Sequence, residues 1–167
     1  MKTLKTKNDI YELLSASTAS AALGAAIESG LLWMLAEKRM ADEDIAQTLN
    51  IPLQRCHYWL QLLHSLGIIE KVSHGYAPSY LTQAALLNTR CEESWQHLAL
   101  DERERSAGVH NLALYIREPG SIWAAQGLTE PRNYVAKMKL DLVRARDFTR
   151  MLYEVHQYLG EELAALL

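Results

Sequence analysis

Apolar side chains recur every three or four residues near the start of the chain, which is the spacing of a helical face. This spacing predicts two or three helical segments between residues 8 and 38. Gly30 is placed to end the first of them in the left-handed conformation, and a short apolar helix follows over 31–36. The positions that carry the pattern are Ile10, Leu13, Leu14, Leu23, Ala26 and Ile27.

The middle of the chain predicts two helices followed by a hairpin. Three acidic residues at 42–44 open the first helix, where they suit the positive end of the helix dipole. The second helix begins near Pro52 and ends at Gly67. Two short strands, 68–72 and 76–78, flank a turn that contains glycine. This order predicts a winged helix-turn-helix.

The rest of the chain again predicts helices. A short helix is expected through residue 87, a long one over 92–117, another over 130–139, and a final one over 144–167. The predicted fold class is therefore mainly α: a winged helix-turn-helix with extra N-terminal helices, a C-terminal helical segment and a small two-stranded β wing.

Composition and charge narrow the classes of protein to which the chain can belong. The 167 residues carry 17 Lys+Arg and 20 Asp+Glu, with a net charge of −3, and 49% are hydrophobic, as in soluble globular proteins. No run of eighteen apolar residues and no signal peptide is recognisable, so we expect no membrane association and a cytoplasmic location. Cys56 and Cys91 are too few for a disulfide framework or a metal centre.

Four stretches share a pattern of apolar positions and glycines. They are 22–32 (ALGAAIESGLL), 45–49 (IAQTL), 60–70 (LQLLHSLGIIE) and 75–78 (GYAP). In this pattern the chain resembles the N-terminal domain of S-adenosylmethionine-dependent O-methyltransferases of the plant caffeate and flavonoid type and their bacterial secondary-metabolite relatives. Residues 146–152 also resemble the helix that leads into their catalytic domain.

One position departs from the resemblance. The family often has Thr or Ser as the cap of the first helix of the winged unit, and Ala41 stands there in this chain. We therefore expect Asp42 to cap this helix instead.

The resemblance implies that three regions of the chain have different roles. Residues 1–38 would form a helical dimerisation arm, 39–87 the winged helix, and 88–167 a substrate-wall segment and linker helix. The parent enzyme would move a methyl group from S-adenosylmethionine to the hydroxyl of a small aromatic or polyketide-like acceptor, by in-line displacement with a base removing the hydroxyl proton. The chain is expected to be a homodimer.

The catalytic Rossmann-like domain is expected to be absent from this sequence. No two of its eight glycines are separated by a single residue, and no parallel βαβ pattern occurs. We therefore assign no catalytic, cofactor-binding or metal residue, and we expect the chain to be inactive alone.

The resemblance also suggests two sets of site residues. Small and leucine side chains of the first helix are expected in the dimer interface: Leu13, Leu14, Ala22, Leu23 and Ala26. Aromatic, methionine and histidine side chains suit a flat apolar acceptor and are expected to line the substrate site: Tyr115, Trp123, Tyr134, Met138, Phe148, Met151, Leu152 and His156.

Other functions stay open at this point. A winged-helix DNA-binding regulator would place residues 52–66 in the major groove, yet Arg55 is the one permanent positive charge of that helix. A stand-alone ligand-binding or protein-interaction domain is a further alternative. His57 and His64 lie seven residues apart, whereas helical metal-binding pairs prefer four, so a metal site is not favoured.

Overall fold

Helices dominate the part of the chain that the computed structural model describes, residues 3–117 and 138–165. The chain divides into two compact units, Met1–Glu92 and Glu93–Leu167. The elements up to the boundary are α1 (Lys7–Glu28), α2 (Leu31–Glu37), α3 (Asp42–Thr48), α4 (Leu53–Ser65), β1 (Ile69–Val72), β2 (Gly75–Pro78) and α5 (Tyr80–Thr82), which continues into a π-helical turn (Gln83–Leu87). Those that follow are α6 (Glu92–His110), α7 (Leu112–Tyr115) and α8 (Leu142–Ala165).

A capping box fixes the start of α1. The Asp9 backbone N–H donates to Thr6 Oγ1 at 3.2 Å, and the Thr6 N–H donates to Asp9 Oδ2 at 2.7 Å. These bonds satisfy amides that the helix itself leaves without acceptors. At its other end Gly30 adopts a φ of 71°, which confirms the predicted break between α1 and α2.

Two helices of the first unit end in the same way. After α4, Gly67 has a φ of 72°, its N–H donates to His64 O at 2.9 Å, and the Ile68 N–H donates to Leu63 O at 3.0 Å. This is a Schellman motif, which requires a left-handed residue after the helix. Asn50, with a φ of 52°, ends α3 in the same manner.

The two strands form an antiparallel hairpin, which confirms the small β wing. Ile69 pairs with Pro78, and Val72 pairs with Gly75 across a two-residue turn. The Tyr76 N–H also donates to Met40 O at 2.9 Å, so the segment before α3 lies along the free edge of β2.

The core of the first unit lies where α2, α3, α4 and β1 meet. The Trp59 indole N–H donates to Ala22 O at 3.1 Å and ties α4 to the last turns of α1. Helix α1 contributes buried apolar side chains only from this end, namely Ala22, Ala26 and Ile27. The large side chains that are fully buried include Leu31, Leu32, Leu35, Ile45, Leu60, Leu63 and Ile69.

Three predicted boundaries differ from the structure. Asp42 is the first residue of α3 and not its cap, and Ala41 at the cap position makes no side-chain hydrogen bond. The long helix predicted over 92–117 is interrupted at Asn111. The final helix begins at Leu142, two residues earlier than predicted. The turn and helix predicted between 118 and 137 lie outside the described residues.

Helix α1 is also the one described helix that is long and apolar enough, by length and composition, to cross a membrane. The sequence prediction counted uninterrupted apolar residues, whereas α1 qualifies by its mean hydropathy. Core helices of soluble proteins and N-terminal signal sequences pass the same test, and in α1 17% of the apolar window is buried.

Replacing Gly75 with alanine is expected to cost about 3 kcal/mol or more of unfolding free energy. Its φ of 137° is almost restricted to glycine, and a Cβ there would overlap the Met40 carbonyl oxygen. Gly67→Ala is the matched control, because Gly67 also has a positive φ but has open space around it; about 1–2 kcal/mol is expected there. Urea unfolding of both variants measures the difference, and equal losses would contradict the steric argument.

Candidate functional site

The first candidate surface is the N-terminal half of α1, which we call the α1 face: Ile10, Tyr11, Leu13 and Leu14. These side chains are 51%, 70%, 53% and 74% exposed. Exposed apolar groups of this size and spacing form a contiguous patch, which marks an interaction surface in soluble proteins.

The residues predicted for the dimer interface divide between two environments. Leu13 and Leu14 belong to the α1 face. Leu23 is half-buried, whereas Ala22 and Ala26 are buried beneath this chain's own helices. The small side chains thus serve close packing within the chain, and the exposed leucines are the ones available to a partner.

The second candidate is a groove of about 430 Å³ between the starts of α3 and α4. His57 Nδ1 lies 2.9 Å from Asp42 Oδ2, and His57 Nε2 lies 2.9 Å from Gln61 Nε2. The hydrogen bond from His57 holds the pKa of the Asp42 carboxyl below its usual value. The lining residues are Asp42, Glu43, Leu53, Gln54, His57 and Tyr58.

This groove is poorly suited to acid–base catalysis and to nucleic-acid binding. Both nitrogens of His57 are engaged by neighbouring side chains, so the imidazole is not free to take a proton from a ligand. The two carboxylates beside α4 would repel nucleic-acid phosphates. The Asp42–His57 pair therefore joins α3 to α4, and it is a structural link.

The histidines and cysteines in the described part of the chain show no metal-binding arrangement. His64 Nδ1 lies 3.1 Å from the Ile69 carbonyl oxygen, away from the partners of His57. Burial, reinforced by the nearby Asp42 carboxylate, raises the pKa of the Cys56 thiol, which behaves as a small apolar group. Within residues 3–117 and 138–165, no group of three or more His, Cys, Asp or Glu side chains could hold a metal ion.

The third candidate lies in the second unit, where α8 packs against α6. Arg144 of α8 donates two hydrogen bonds to Glu104 of α6, at 3.2 Å and 2.9 Å, and a third to Asp101 at 3.4 Å. The hydrogen bonds to Glu104 raise the pKa of the Arg144 guanidinium. A second ion pair joins Arg150 to Glu93 at 3.5 Å. These contacts fix the register of the two helices.

Between these ion pairs the rings of His97 in α6 and Phe148 in α8 lie against each other. Ser94 and Met151 lie one helical turn from His97 and Phe148 respectively, and we call the four residues the α6–α8 cluster. The rings of His97 and Phe148 are 5.6 Å apart at an interplanar angle of 55°. Ser94, His97 and Met151 are buried, and Phe148 is half-buried. Phe148 and Met151 were predicted to line the substrate site. His97 and Ser94 were missed, although their i, i+3 spacing with each other marks one face of α6.

The remaining substrate-wall predictions lie in different environments. Leu152 and His156 are exposed, and His156 Nδ1 lies 2.6 Å from the Leu152 carbonyl oxygen within α8. Tyr115 and Met138 are half-buried. Trp123 and Tyr134 lie outside the described residues.

Solved structures with the same fold include several methyltransferases. The mitomycin 7-O-methyltransferase MmcR matches with a TM-score of 0.71 at 18% identity, over 95% of this chain and 47% of that one. PigF with SAH matches with a TM-score of 0.73 at 19% identity, over 90% and 45%. An O-methyltransferase family protein from Burkholderia thailandensis matches with a TM-score of 0.66 at 15% identity, over 95% and 45%.

These likenesses establish the fold. The chain resembles the N-terminal domain of these O-methyltransferases, and it spans less than half of their length. No protein-family model matches the sequence, and no curated protein does either.

Replacing Asp42 with Asn is expected to lower the unfolding free energy by about 1 kcal/mol at neutral pH. Because the pKa of Asp42 is lowered in the folded chain, its contribution is present above the ordinary value of 3.8 and is lost as the pH falls through the lower folded value. Urea unfolding from pH 7 down to about pH 2 should therefore show the wild type and Asp42→Asn converging in acid.

The control for that experiment is Asp44→Asn, which removes an exposed carboxylate from the same first turn of α3. It shares the helix-dipole effect and lacks the His57 bond. If Asp44→Asn reproduced the acid convergence, the Asp42–His57 pair would not be its cause.

Proposed function

We propose that this chain is the dimerisation and acceptor-binding portion of an S-adenosylmethionine-dependent O-methyltransferase. The acceptor is a small hydroxylated molecule of aromatic or polyketide-like character, and the assembly is a cytoplasmic homodimer. The observation that carries the proposal is the fold likeness, which extends over 90–97% of this chain in four solved structures that include MmcR and PigF.

The α1 face supports the dimerisation role. Each leucine or isoleucine that leaves water contributes about 1.5–3 kcal/mol, so covering these side chains on two protomers is a substantial driving force. A second copy of the chain presents the same face, as a two-fold interface requires. The small, largely exposed residues at 15–20 (SASTAS) allow a second helix to approach closely.

The α6–α8 cluster supports the acceptor-binding role. Phe148 and Met151 offer a flat, polarisable surface of the kind that receives aromatic ligands. The Arg144–Glu104 bonds hold α8 in place, so this surface is organised before a ligand arrives. Positioning and exclusion of water are thus the contributions of this chain to the reaction.

The residues present do not suit the methyl donor. A Rossmann-like donor site uses a parallel strand followed by a turn whose glycines let the backbone approach the cofactor. The described residues contain one sheet, and it is an antiparallel hairpin. No glycine pair in the whole sequence has the required spacing. We therefore place donor binding and the catalytic base outside these 167 residues.

DNA binding is less well supported than acceptor binding. The outer side of α4 is accessible, with Gln54, Arg55 and Gln61 exposed. However, its first turns lie beside Asp42 and Glu43, and each phosphate contact requires a cation. Arg55 is the one permanent positive charge of this helix, so we propose the winged arrangement as an inherited scaffold.

The double variant Leu13→Asp/Leu14→Asp is expected to weaken homodimerisation at least about tenfold, because it places charges in an apolar interface. Sedimentation velocity over a concentration series measures the dissociation constant. Leu81→Asp is the control, because the exposure of Leu81 (69%) lies between those of Leu13 and Leu14 and the residue is outside α1. A dissociation constant unchanged by the double variant, or raised equally by Leu81→Asp, would rule out the α1 face as the interface.

The isolated chain is expected to transfer no methyl group to a hydroxylated aromatic acceptor. The assay supplies S-adenosylmethionine labelled in its methyl group and 2-naphthol, and it compares product with and without the chain. The physical reason is the missing donor site. Label in the ether product above the protein-free rate would refute this part of the proposal.

A further inference from the structure

Two described side chains hold a buried polar atom without a hydrogen-bond partner, and both lie in the second unit. They are His97 Nε2 and Glu154 Oε2. A buried polar atom left unpaired loses its hydration without compensation, and native structures keep few of them. Each therefore calls for an explanation.

The two atoms differ in how easily solvent reaches them. Glu154 is half-buried, so a small rotation of its carboxylate brings Oε2 to water. His97 is only 6% exposed, and its ring is packed against Phe148. The imidazole therefore has little freedom to turn toward solvent, and a bound molecule is the more direct partner for Nε2.

We propose that His97 Nε2 hydrogen-bonds the hydroxyl group of a flat aromatic acceptor that lies against Phe148 and Met151. The inference deepens the proposed function and rests on it. It assigns His97 the role of a positioning residue, which selects hydroxylated acceptors and orients the oxygen that is to be methylated.

The chemistry of the two groups is complementary. In one neutral tautomer Nε2 donates a hydrogen bond, and in the other it accepts one. A hydroxyl group does both, so it satisfies either tautomer, whereas an unsubstituted aromatic hydrocarbon satisfies neither. The Phe148 ring beside the imidazole, and Met151 one turn further along α8, are the apolar groups for the ring that carries the hydroxyl. A site built to pair a hydroxyl disfavours analogues that lack it, because its own polar atom then stays unpaired.

The test compares two probes, 2-naphthol and naphthalene, which differ in one hydroxyl group. Their dissociation constants are measured by calorimetric titration into the full 167-residue chain, and the preference for 2-naphthol is expressed as the ratio of the two constants. In His97→Phe this ratio is expected to fall by about 3- to 10-fold, the worth of one neutral hydrogen bond. In His97→Gln, which restores a polar group, part of the preference should return.

His110→Phe is the matched control, because it makes the same change on the same helix at an exposed histidine whose Nδ1 lies 2.7 Å from the Ser106 carbonyl oxygen. It should keep the wild-type ratio. A readout independent of the variants is the nitrogen resonance of His97 Nε2 in the wild-type chain. It should shift when 2-naphthol is added and stay unchanged with naphthalene.

The outcomes separate the two proposals. If both probes bind the wild type and the ratio is the same in His97→Phe, the role of His97 is overturned and the acceptor-binding function stands. If neither probe binds, the acceptor-binding function fails together with the inference. If His97→Phe does not fold, the Nε2 resonance decides, and its failure to respond to 2-naphthol overturns the proposal.

Discussion

Helix α1 is longer than the core that covers it. This difference in length determines which part of α1 is buried in the first unit and which part is exposed. Its 22 residues extend about 33 Å, but the leucine core of α2 and α4 reaches only its last turns. Ala22 and Ala26 allow close packing there, and the Trp59 indole bond fixes the contact. The apolar side chains of the other half have no cover within the described chain, so the fold leaves an exposed apolar surface there.

In the second unit, ion pairs between α6 and α8 position the α6–α8 cluster. Arg144 and Arg150 lie six residues apart on α8, with Phe148 between them in the sequence, and each pairs with an acidic residue of α6. Ion pairs of this exposure add little stability individually. Their effect is to select one register, which brings the ring of Phe148 against His97 and buries Met151.

Much of the fold could be predicted from local signals. Gly30 and Gly67 mark real helix ends because the left-handed conformation is needed there, and Gly75 marks the wing turn. Local signals failed where tertiary contacts decide the outcome. Asp42 was expected to cap α3, but its carboxylate bonds His57, fifteen residues away. The break at Asn111 has no comparably strong signal in the sequence.

The site was only partly predictable for the same reason. Phe148 and Met151 were expected at the substrate site through a resemblance, and they lie one turn apart on α8, but their role there stays a prediction. His97 was missed because its significance is the lack of a partner for Nε2, which depends on the packing of α8 and not on neighbouring residues. Ala22 and Ala26 shared the small-residue pattern expected of an interface, and only the structure shows that the chain's own helices bury them.

Concentration-dependent hydrogen exchange tests the central claim about α1 most directly. The backbone amides of residues 10–16 should become more protected as the protein concentration rises, because the α1 face is then covered by a second copy. The amides of α4, whose core contacts lie within one chain, should show no such dependence. Exchange of the α1 amides that is independent of concentration, in a chain that sediments as a monomer throughout, would contradict the account.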